Sequence, residues 1–220
     1  MKVYFLLLSS LCLLSIQAQV FSFESKEDSN TITHRVLMDD TYFVETLYRS
    51  DSANFILTRG GFYTIKRNTI QVNFEFNSNF EKDGLKQMDF KKTKDWKKIS
   101  SPPKDLNGKW LMAGRMTPEG ERRRDTSGPR KTMKFLLEGF FQWIAFNTET
   151  FQFFGSGGGY YTAVDGKYTE HIEYFSRDNT RVGAALPFDY ELKGTDWHHQ
   201  GLSSKGAPIY EIWSLRNKDL

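Results

Sequence analysis

The stretch FQFFGSGGGYYTAVDGKYTEHIEYF, residues 151–175, decides the fold because a second copy of it lies 98 positions earlier in the chain. Aligned without gaps over 24 positions, the two copies share six identities. These identities are Phe55 with Phe153, Gly60 with Gly158, Gly61 with Gly159, Tyr63 with Tyr161, Thr64 with Thr162 and Glu75 with Glu173. Similarity at one long, fixed offset is the mark of a duplicated unit, so the sequence predicts two related units in tandem.

The N-terminal segment, residues 1–18, has the features of a secretory signal peptide. One lysine precedes an apolar run from Val3 to Leu14, and the small residue Ala18 follows. This run is too short to cross a hydrocarbon core of about 30 Å. We therefore expect a secreted or periplasmic protein, cleaved near Ala18, with no stable membrane insertion. The single cysteine, Cys12, lies inside the segment, so we expect no disulfide in the mature chain.

The charge balance argues against a nucleic-acid partner. The formal net charge is +3, or +2 once Lys2 is removed with the signal peptide. So small an excess gives no electrostatic footprint for nucleic acid. Two basic clusters, residues 91–98 and 122–124, are interpreted as a solvated strand edge or linker and as a polar loop, because edge lysines discourage pairing between sheets.

Alternation of apolar and polar residues indicates β-strands along most of the chain. In IQVNFEF, residues 70–76, the even-numbered residues are apolar and the odd-numbered ones are Gln71, Asn73 and Glu75. This pattern predicts a half-buried strand with those three side chains in solvent. No long segment shows the 3.6-residue period of an amphipathic helix. The sequence therefore predicts an all-β protein of short antiparallel strands closed into barrels or sandwiches.

The boundary between the units is placed at two adjacent prolines, Pro102 and Pro103, which cannot donate to a sheet ladder. We expect a divergent β domain at residues 19–100, a linker at 101–105 and a β-barrel domain at 106–220.

Six motifs of the second unit resemble a secreted lipocalin-like, calycin-type family of Bacteroidota that is usually described only as membrane or secreted proteins. In chain order the motifs are LNGKW, FQWIAFN, GSGGGYYT, KYTEHIEYFSRDNTRVGA, DWHHQGLSSKG and IYEIW. The first unit resembles a divergent domain of the same kind, although Phe21 and Phe23 stand where a Gly-x-Trp motif would be expected. The resemblance implies two tandem lipocalin-like antiparallel β-barrels, the first smaller or incompletely closed, in an exported protein. It implies no activity, because that of the family is unassigned.

Two other patterns suggest chemistry that their context does not favour. The glycines of residues 155–159 do not open a helix, so they lack the aligned amides of a phosphate-binding loop, and a tight turn or β-bulge is the better interpretation. His171, His198 and His199 suggest a metal site. However, adjacent residues of a strand point to opposite faces, and no His-x-His spacing occurs. We therefore expect no metal and no cofactor.

Comparison of the two copies supplies the candidate site. At the same offset, Val44 corresponds to Gln142 and Val72 corresponds to Glu170. If the apolar face of the first copy points inward, the second copy has polar groups on an apolar barrel wall. A buried carboxylate requires a donor, water or a ligand, and a few polar groups on an aromatic wall are typical of a ligand cavity. The predicted ligand-binding residues are Gln142, Trp143, Tyr161, Tyr168, Glu170, Arg181 and His198.

Three functions follow from this reading. The leading hypothesis is binding of a small amphipathic molecule, a sugar or a lipid fragment, in the second barrel. The alternative is an enzyme of isomerase or lyase type in which Glu170 and either His198 or His199 act as general acid and base. A structural network, such as Glu170 with Arg181 or a histidine inside a fully packed barrel, would instead indicate a structural or interaction protein. The oligomeric state is open.

Overall fold

The computed structural model describes residues 18–102, 105–203 and 206–216, and nearly every element within them is a β-strand. The strands form two separate antiparallel sheets. The first sheet contains β1 (Gln19–Glu27), β2 (Asn30–Met38), β3 (Tyr42–Arg49), β4 (Phe55–Lys66), β5 (Thr69–Asn77), β6 (Gln87–Lys91) and β7 (Lys97–Ile99). The second contains β8 (Gly108–Thr117), β9 (Gly120–Arg123), β10 (Arg130–Leu137), β11 (Phe140–Asn147), β12 (Phe153–Val164), β13 (Lys167–Phe175), β14 (Ala185–Lys193), β15 (Asp196–Leu202) and β16 (Pro208–Leu215). The all-β prediction is confirmed.

Two short helical elements also occur in the described residues, α1 (Phe80–Asp83) and a 3-10 turn (Asn179–Arg181). Neither is long and apolar enough to cross a membrane. The predicted signal peptide falls almost wholly on residues 1–17, and two residues of the predicted linker are 103–104. Both stretches lie outside the described residues.

The second sheet closes into an eight-stranded barrel. Its strands follow the order β10-β11-β12-β13-β14-β15-β16-β8, and β8 returns to pair with β10. Aromatic side chains fill one end of the interior, where Trp110, Tyr161, Tyr168 and Trp197 belong to one buried cluster. Strand β9 lies outside this ring as a hairpin on β8. The loop predicted for residues 122–124 was therefore partly wrong, because an exposed hairpin strand needs no apolar alternation.

The first sheet forms a curled half-barrel. Its strands are ordered β6-β5-β4-β3-β2-β1-β7, so neighbours in the chain are neighbours in the sheet except at β7. The two edge strands, β6 and β7, do not pair, and the sheet remains open between them. Its concave face is packed with its own apolar cluster, including Phe21, Phe43, Phe74, Phe90 and Trp96. The prediction that the first unit would be incompletely closed is confirmed.

Both units carry a β-bulge at the same place, and the bulge explains three of the six identities. Glu75 and Glu173 are the extra residues, each opposite a break in register between two glycines of the preceding strand. At Gly61 and Gly159 the neighbouring strand comes so close that an added Cβ would lie 2.0 Å and 1.9 Å from a backbone carbonyl oxygen. The interpretation of this glycine segment as a bulge is thus correct, and β12 runs through it as a continuous strand.

The bulge also removes Glu75 from solvent, contrary to the alternation pattern. Its carboxylate accepts hydrogen bonds from the two terminal nitrogens of Arg216 at 2.8 Å and from the Tyr42 hydroxyl at 2.7 Å. Alternation fails here because one extra residue shifts every later side chain to the opposite face. Phe76 accordingly packs against the second unit, whereas Phe74 packs inside the half-barrel.

The outer faces of the two units pack against each other through equivalent residues. Phe55 and Phe153, which correspond at the 98-residue offset, stack with ring centroids 6.1 Å apart and an interplanar angle of 2°. The contact of Phe76 with Phe146, at 4.9 Å, has its equivalent in that of Tyr174 with Tyr48, at 5.1 Å. Because contacts are exchanged between equivalent positions, the packed cores of the two units are related by an approximate two-fold axis.

The ion pairs across this boundary follow the same exchange. Glu75 of the first unit binds Arg216 of the second, and Glu173 of the second binds Arg35 of the first at 2.9 Å. Each guanidinium also lies over an aromatic ring of the other unit, Arg35 over Phe140 and Arg216 over Tyr42. Phe140 and Tyr42 correspond to each other at the 98-residue offset. The two bulges therefore supply the carboxylates that join the units.

Candidate functional site

A cavity of about 220 Å³ lies in the barrel. It is at the end opposite the buried aromatic cluster of Trp110, Tyr161, Tyr168 and Trp197. Its deep residues are buried, and its rim is formed by partly or fully exposed residues on strand ends and loops. The buried lining residues are Lys134, Phe141, Gly157, Glu170, Ile172, Phe188, His199 and Trp213. The rim contains Trp143, Phe175, Arg177, Leu186, Ser203, Ile209 and Glu211.

The floor of the cavity is an ion pair between Lys134 on β10 and Glu170 on β13. The Lys134 ammonium donates to the Glu170 carboxylate at 2.6 Å, and the two residues are only 4% and 6% exposed. The Tyr168 hydroxyl donates to the same carboxylate oxygen at 3.1 Å. Isolated charges at this depth are costly, but each of these has its partner. The pair is therefore compatible with a stable folded barrel.

Aromatic rings surround the Lys134 ammonium on several sides. Its nitrogen lies 5.2 to 5.5 Å from four ring centroids, which is within the range of cation–π attraction. These rings belong to Tyr168, Phe188, Trp197 and Trp213. The rings and Glu170 together hold the ammonium in place on the cavity floor.

His199 on β15 supplies the uncharged polar group of the floor. Its Nε2 lies 3.5 Å from the Lys134 ammonium, which can only donate, so this nitrogen accepts and the ring proton is on Nδ1. Burial, reinforced by the positive charge of Lys134, lowers the pKa of His199 well below its usual value. The imidazole is therefore neutral at physiological pH.

Among the residues that the structure describes, none is a hydrogen-bond partner of the His199 Nδ1–H group. The Glu211 carboxylate on β16 lies 3.8 Å away, too far for a direct hydrogen bond. Trp213 donates its indole N–H to the same carboxylate oxygen at 3.2 Å, which fixes the position of Glu211. A donor and an acceptor thus lie side by side, and one small polar group beside them can bond to both.

An aromatic shelf forms one side of the rim. Trp143 and Phe175 stack with centroids 6.3 Å apart and an interplanar angle of 9°, and the Arg177 guanidinium lies 5.5 Å from the Trp143 ring. Gly157 lies between these strands without a side chain, and an added Cβ would be 2.4 Å from the Phe175 ring. The glycine therefore allows Phe175 to pack against the barrel wall and leaves space above it.

The structure brings together four residues named from the sequence. Glu170 and His199 lie on the cavity floor, Tyr168 lies beneath it, and Trp143 lines the rim. The expectation that only one of the adjacent histidines could share this site agrees with the geometry. His198 points outward and contacts the Tyr210 hydroxyl at 3.2 Å.

Gln142 is not in the cavity, which corrects the face assigned to β11. Its amide donates to the Thr58 hydroxyl at 2.8 Å and to the Ser156 hydroxyl at 3.0 Å, in the boundary between the units. The apolar face of β3, used as the reference, packs against the other unit rather than into a barrel. The neighbouring Trp143 is the residue of β11 that faces the cavity.

Tyr161 and Arg181 also lie away from the cavity. Tyr161 belongs to the buried aromatic cluster at the opposite end of the barrel, where burial raises the pKa of its hydroxyl. Arg181 is in the 3-10 turn before β14 and pairs with Asp178 at 3.6 Å, so it is not the partner of Glu170. Strand β14 begins at Ala185, shortly after this turn.

Sequence reasoning missed Lys134 and Glu211, the two charged partners of the site. Lys134 stands opposite Trp110 and Trp143 in the sheet register, among aromatic neighbours that the chain order does not reveal. A usable signal was present, because the residue 98 positions before Lys134 is Val36. The same valine-to-charge change that drew attention to Glu170 therefore marks its partner.

The described residues contain no group of three or more His, Cys, Asp and Glu side chains placed to hold a metal ion. Comparison with models of protein families gives no match to this chain. A search of curated proteins gives no match either.

Proposed function

We propose that the protein is an exported binding protein that holds a small, hydroxyl-bearing molecule in the barrel cavity. The observation that carries this proposal is the separation of 3.8 Å between His199 Nδ1 and Glu211, which is too long for a direct hydrogen bond. A hydroxyl group accepts and donates at once, so a single ligand hydroxyl lying beside both groups, in the cavity, satisfies both of them. A buried donor without a partner is costly, which favours a ligand hydroxyl at this position.

The lining restricts the size and charge of the ligand. A volume of about 220 Å³ corresponds to about seven waters, below the range of cavities for drug-sized molecules. The charges of Lys134 and Arg177 balance those of Glu170 and Glu211, so the site selects against a strongly charged molecule. The aromatic shelf favours one apolar face. A single hydroxylated ring, of sugar type or from a lipid fragment, meets these conditions.

Native mass spectrometry of the purified mature protein tests the proposal. We expect a retained mass that is released on denaturation and absent from Leu186→Trp, because the indole would occupy the cavity rim. Leu192→Trp is the matched control, since Leu192 lies on the same strand but is exposed and outside the cavity. Equal retention by all three proteins, or by none, would contradict binding at this site.

Catalysis of isomerase or lyase type is a second candidate because Glu170 and the neutral His199 both contact the Lys134 ammonium. Binding is favoured over it, since Lys134 and Tyr168 already engage Glu170 and leave His199 alone to move a proton. Incubating the released ligand with fresh protein distinguishes the two, because only an enzyme changes its NMR spectrum. The open cavity also favours both candidates over a barrel packed throughout.

A further inference from the structure

A row of polar side chains crosses the half-barrel from β1 to β4. The Ser25 hydroxyl lies 2.8 Å from His34 Nε2, and His34 Nδ1 lies 3.0 Å from a Glu45 carboxylate oxygen. Arg59 donates two hydrogen bonds, at 2.9 and 2.7 Å, to the other Glu45 oxygen. The positions equivalent to Glu45 and Arg59 in the barrel are Trp143 and Gly157, which line the cavity. The row thus occupies the corresponding end of the first unit.

The partners of His34 decide where its ring proton lies. An ionised carboxylate can only accept, so the contact with Glu45 places the proton on Nδ1 and leaves Nε2 as an acceptor for the Ser25 O–H. Arg59 engages the second oxygen of Glu45 and so fixes the carboxylate. This order of hydroxyl, imidazole and carboxylate is the geometry that activates a serine nucleophile.

The environment of the row suits a nucleophile that must meet a substrate. Ser25 is exposed, while the side chains of His34 and Glu45 are 13% and 4% exposed. The His34 ring is held by stacking on Phe23 at 4.4 Å, and Phe23 stacks in turn on Trp96 at 4.9 Å. The base is therefore oriented from two sides, and the hydroxyl remains open to solvent.

The edge of β1 beside Ser25 is open within the described part of the chain. Strand β7 pairs with β1 only from Val20 to Ser22, so within the described residues no strand covers the edge from Phe23 to Glu27. Amides on that edge that point away from β2 are available to a carbonyl oxygen. Donors of this kind stabilise the negative charge that develops when an acyl group is attacked.

We propose that Ser25 and His34 form a second, hydrolytic site that cleaves small esters. The Ser25 oxygen attacks the carbonyl carbon, and its proton passes to His34 Nε2. The bond to the leaving alcohol breaks, and the alkoxide takes that proton. Water then attacks the acyl-serine with His34 as base, releasing the carboxylic acid and restoring Ser25. The open surface over Ser25 suits a short acyl chain rather than one that needs a deep pocket.

Incubation of the full chain with 4-nitrophenyl acetate and with an alkyl fluorophosphonate tests this site. We expect release of nitrophenol and a covalent adduct on Ser25, located by peptide mass spectrometry. Ser25→Ala should abolish the adduct. His34→Phe, which keeps the stacking on Phe23, should slow acylation by about 10²- to 10⁴-fold, the usual contribution of a general base.

Ser22→Ala is the matched control, because Ser22 lies on the same strand with its side chain on the opposite face, and it should react as the wild type does. An unmodified Ser25 after prolonged exposure would overturn the proposal, as would an adduct that forms equally fast in His34→Phe. Unchanged melting temperatures of the variants would show that the losses come from chemistry. The outcome is independent of ligand retention in the barrel.

Discussion

The half-barrel has Val36 and Val72 at the positions where the barrel has Lys134 and Glu170, and all four side chains are buried. The same backbone positions, on equivalent strands, thus hold an apolar pair in one unit and an ion pair in the other. A buried ion pair is often no more stabilising than apolar residues of similar volume. The comparison teaches that these positions can be filled either by an apolar pair or by an ion pair without exposing either pair to solvent.

At a second pair of equivalent positions, the charged residues are in the half-barrel and the uncharged ones are in the barrel. Glu45 and Arg59 fill the end of the half-barrel, where the barrel has Trp143 and Gly157. The Arg59 side chain extends over Phe74 and Phe90, with its guanidinium 5.9 and 5.3 Å from their ring centroids. With glycine in its place, the barrel keeps an open cavity at this position.

The largest expected effect comes from breaking the ion pair on one side. Lys134→Val or Glu170→Val alone should lower the free energy of unfolding by about 3 to 5 kcal/mol, because each leaves a buried charge without its partner. The double variant Lys134→Val/Glu170→Val, which copies the half-barrel, should be close to the wild type or more stable. Urea denaturation with a constant m-value measures all three.

A double variant that is as unstable as the sum of the single variants would show that the ion pair belongs to the structural framework of the barrel. The contrast with Val36 and Val72 would then reflect different packing needs of the two units. Ligand retention measured on the same double variant separates the two roles, since binding should be lost even where stability is kept.

The two bulges should respond alike to a single methyl group. Gly61→Ala and Gly159→Ala each drive a Cβ into a backbone carbonyl, and we expect a loss of about 1 to 3 kcal/mol in each case. Gly128→Ala is the control, since nothing lies within 4 Å of its added Cβ, and it should stay within about 0.5 kcal/mol. A clear difference between Gly61 and Gly159 would mean that the bulges are not equivalent.

The smallest effect is a pH dependence confined to the barrel. Because the pKa of His199 is lowered in the folded state, protons bind the unfolded chain first and favour unfolding. The neutral imidazole therefore costs no stability above the unfolded pKa of about 6.5. Below that pH the free energy of unfolding falls by at most about 1.4 kcal/mol per pH unit. His199→Gln should lose less stability between pH 7.5 and 5.5 in urea titrations. Equal losses of stability in the wild type and in His199→Gln would indicate that the His199 imidazole is in contact with solvent in the folded protein.

Much of the fold follows from local patterns, whereas the site depends on contacts between distant strands. The similarity of two short stretches at an offset of 98 predicted two units, and the glycines of one of these stretches predicted a bulge. Both signals can be recognised without knowing which strands are neighbours. The inward face of β11 was misassigned because a strand buried on both sides shows no polar face, and the Gln142 amide donates its hydrogen bonds at the boundary between the units. Lys134 was missed because lysine in a strand is usually exposed, and only the sheet register places it beside Glu170.

The stacking of Phe55 on its own equivalent, Phe153, has a consequence for the history of the chain. Such self-complementary contacts are those of an isologous dimer, in which every substitution appears twice. A charge introduced into one interior of such a dimer would have entered both. In one polypeptide, Val36 and Lys134 are separate positions that can differ. The joined chain can therefore have a packed interior in one copy and a cavity in the other.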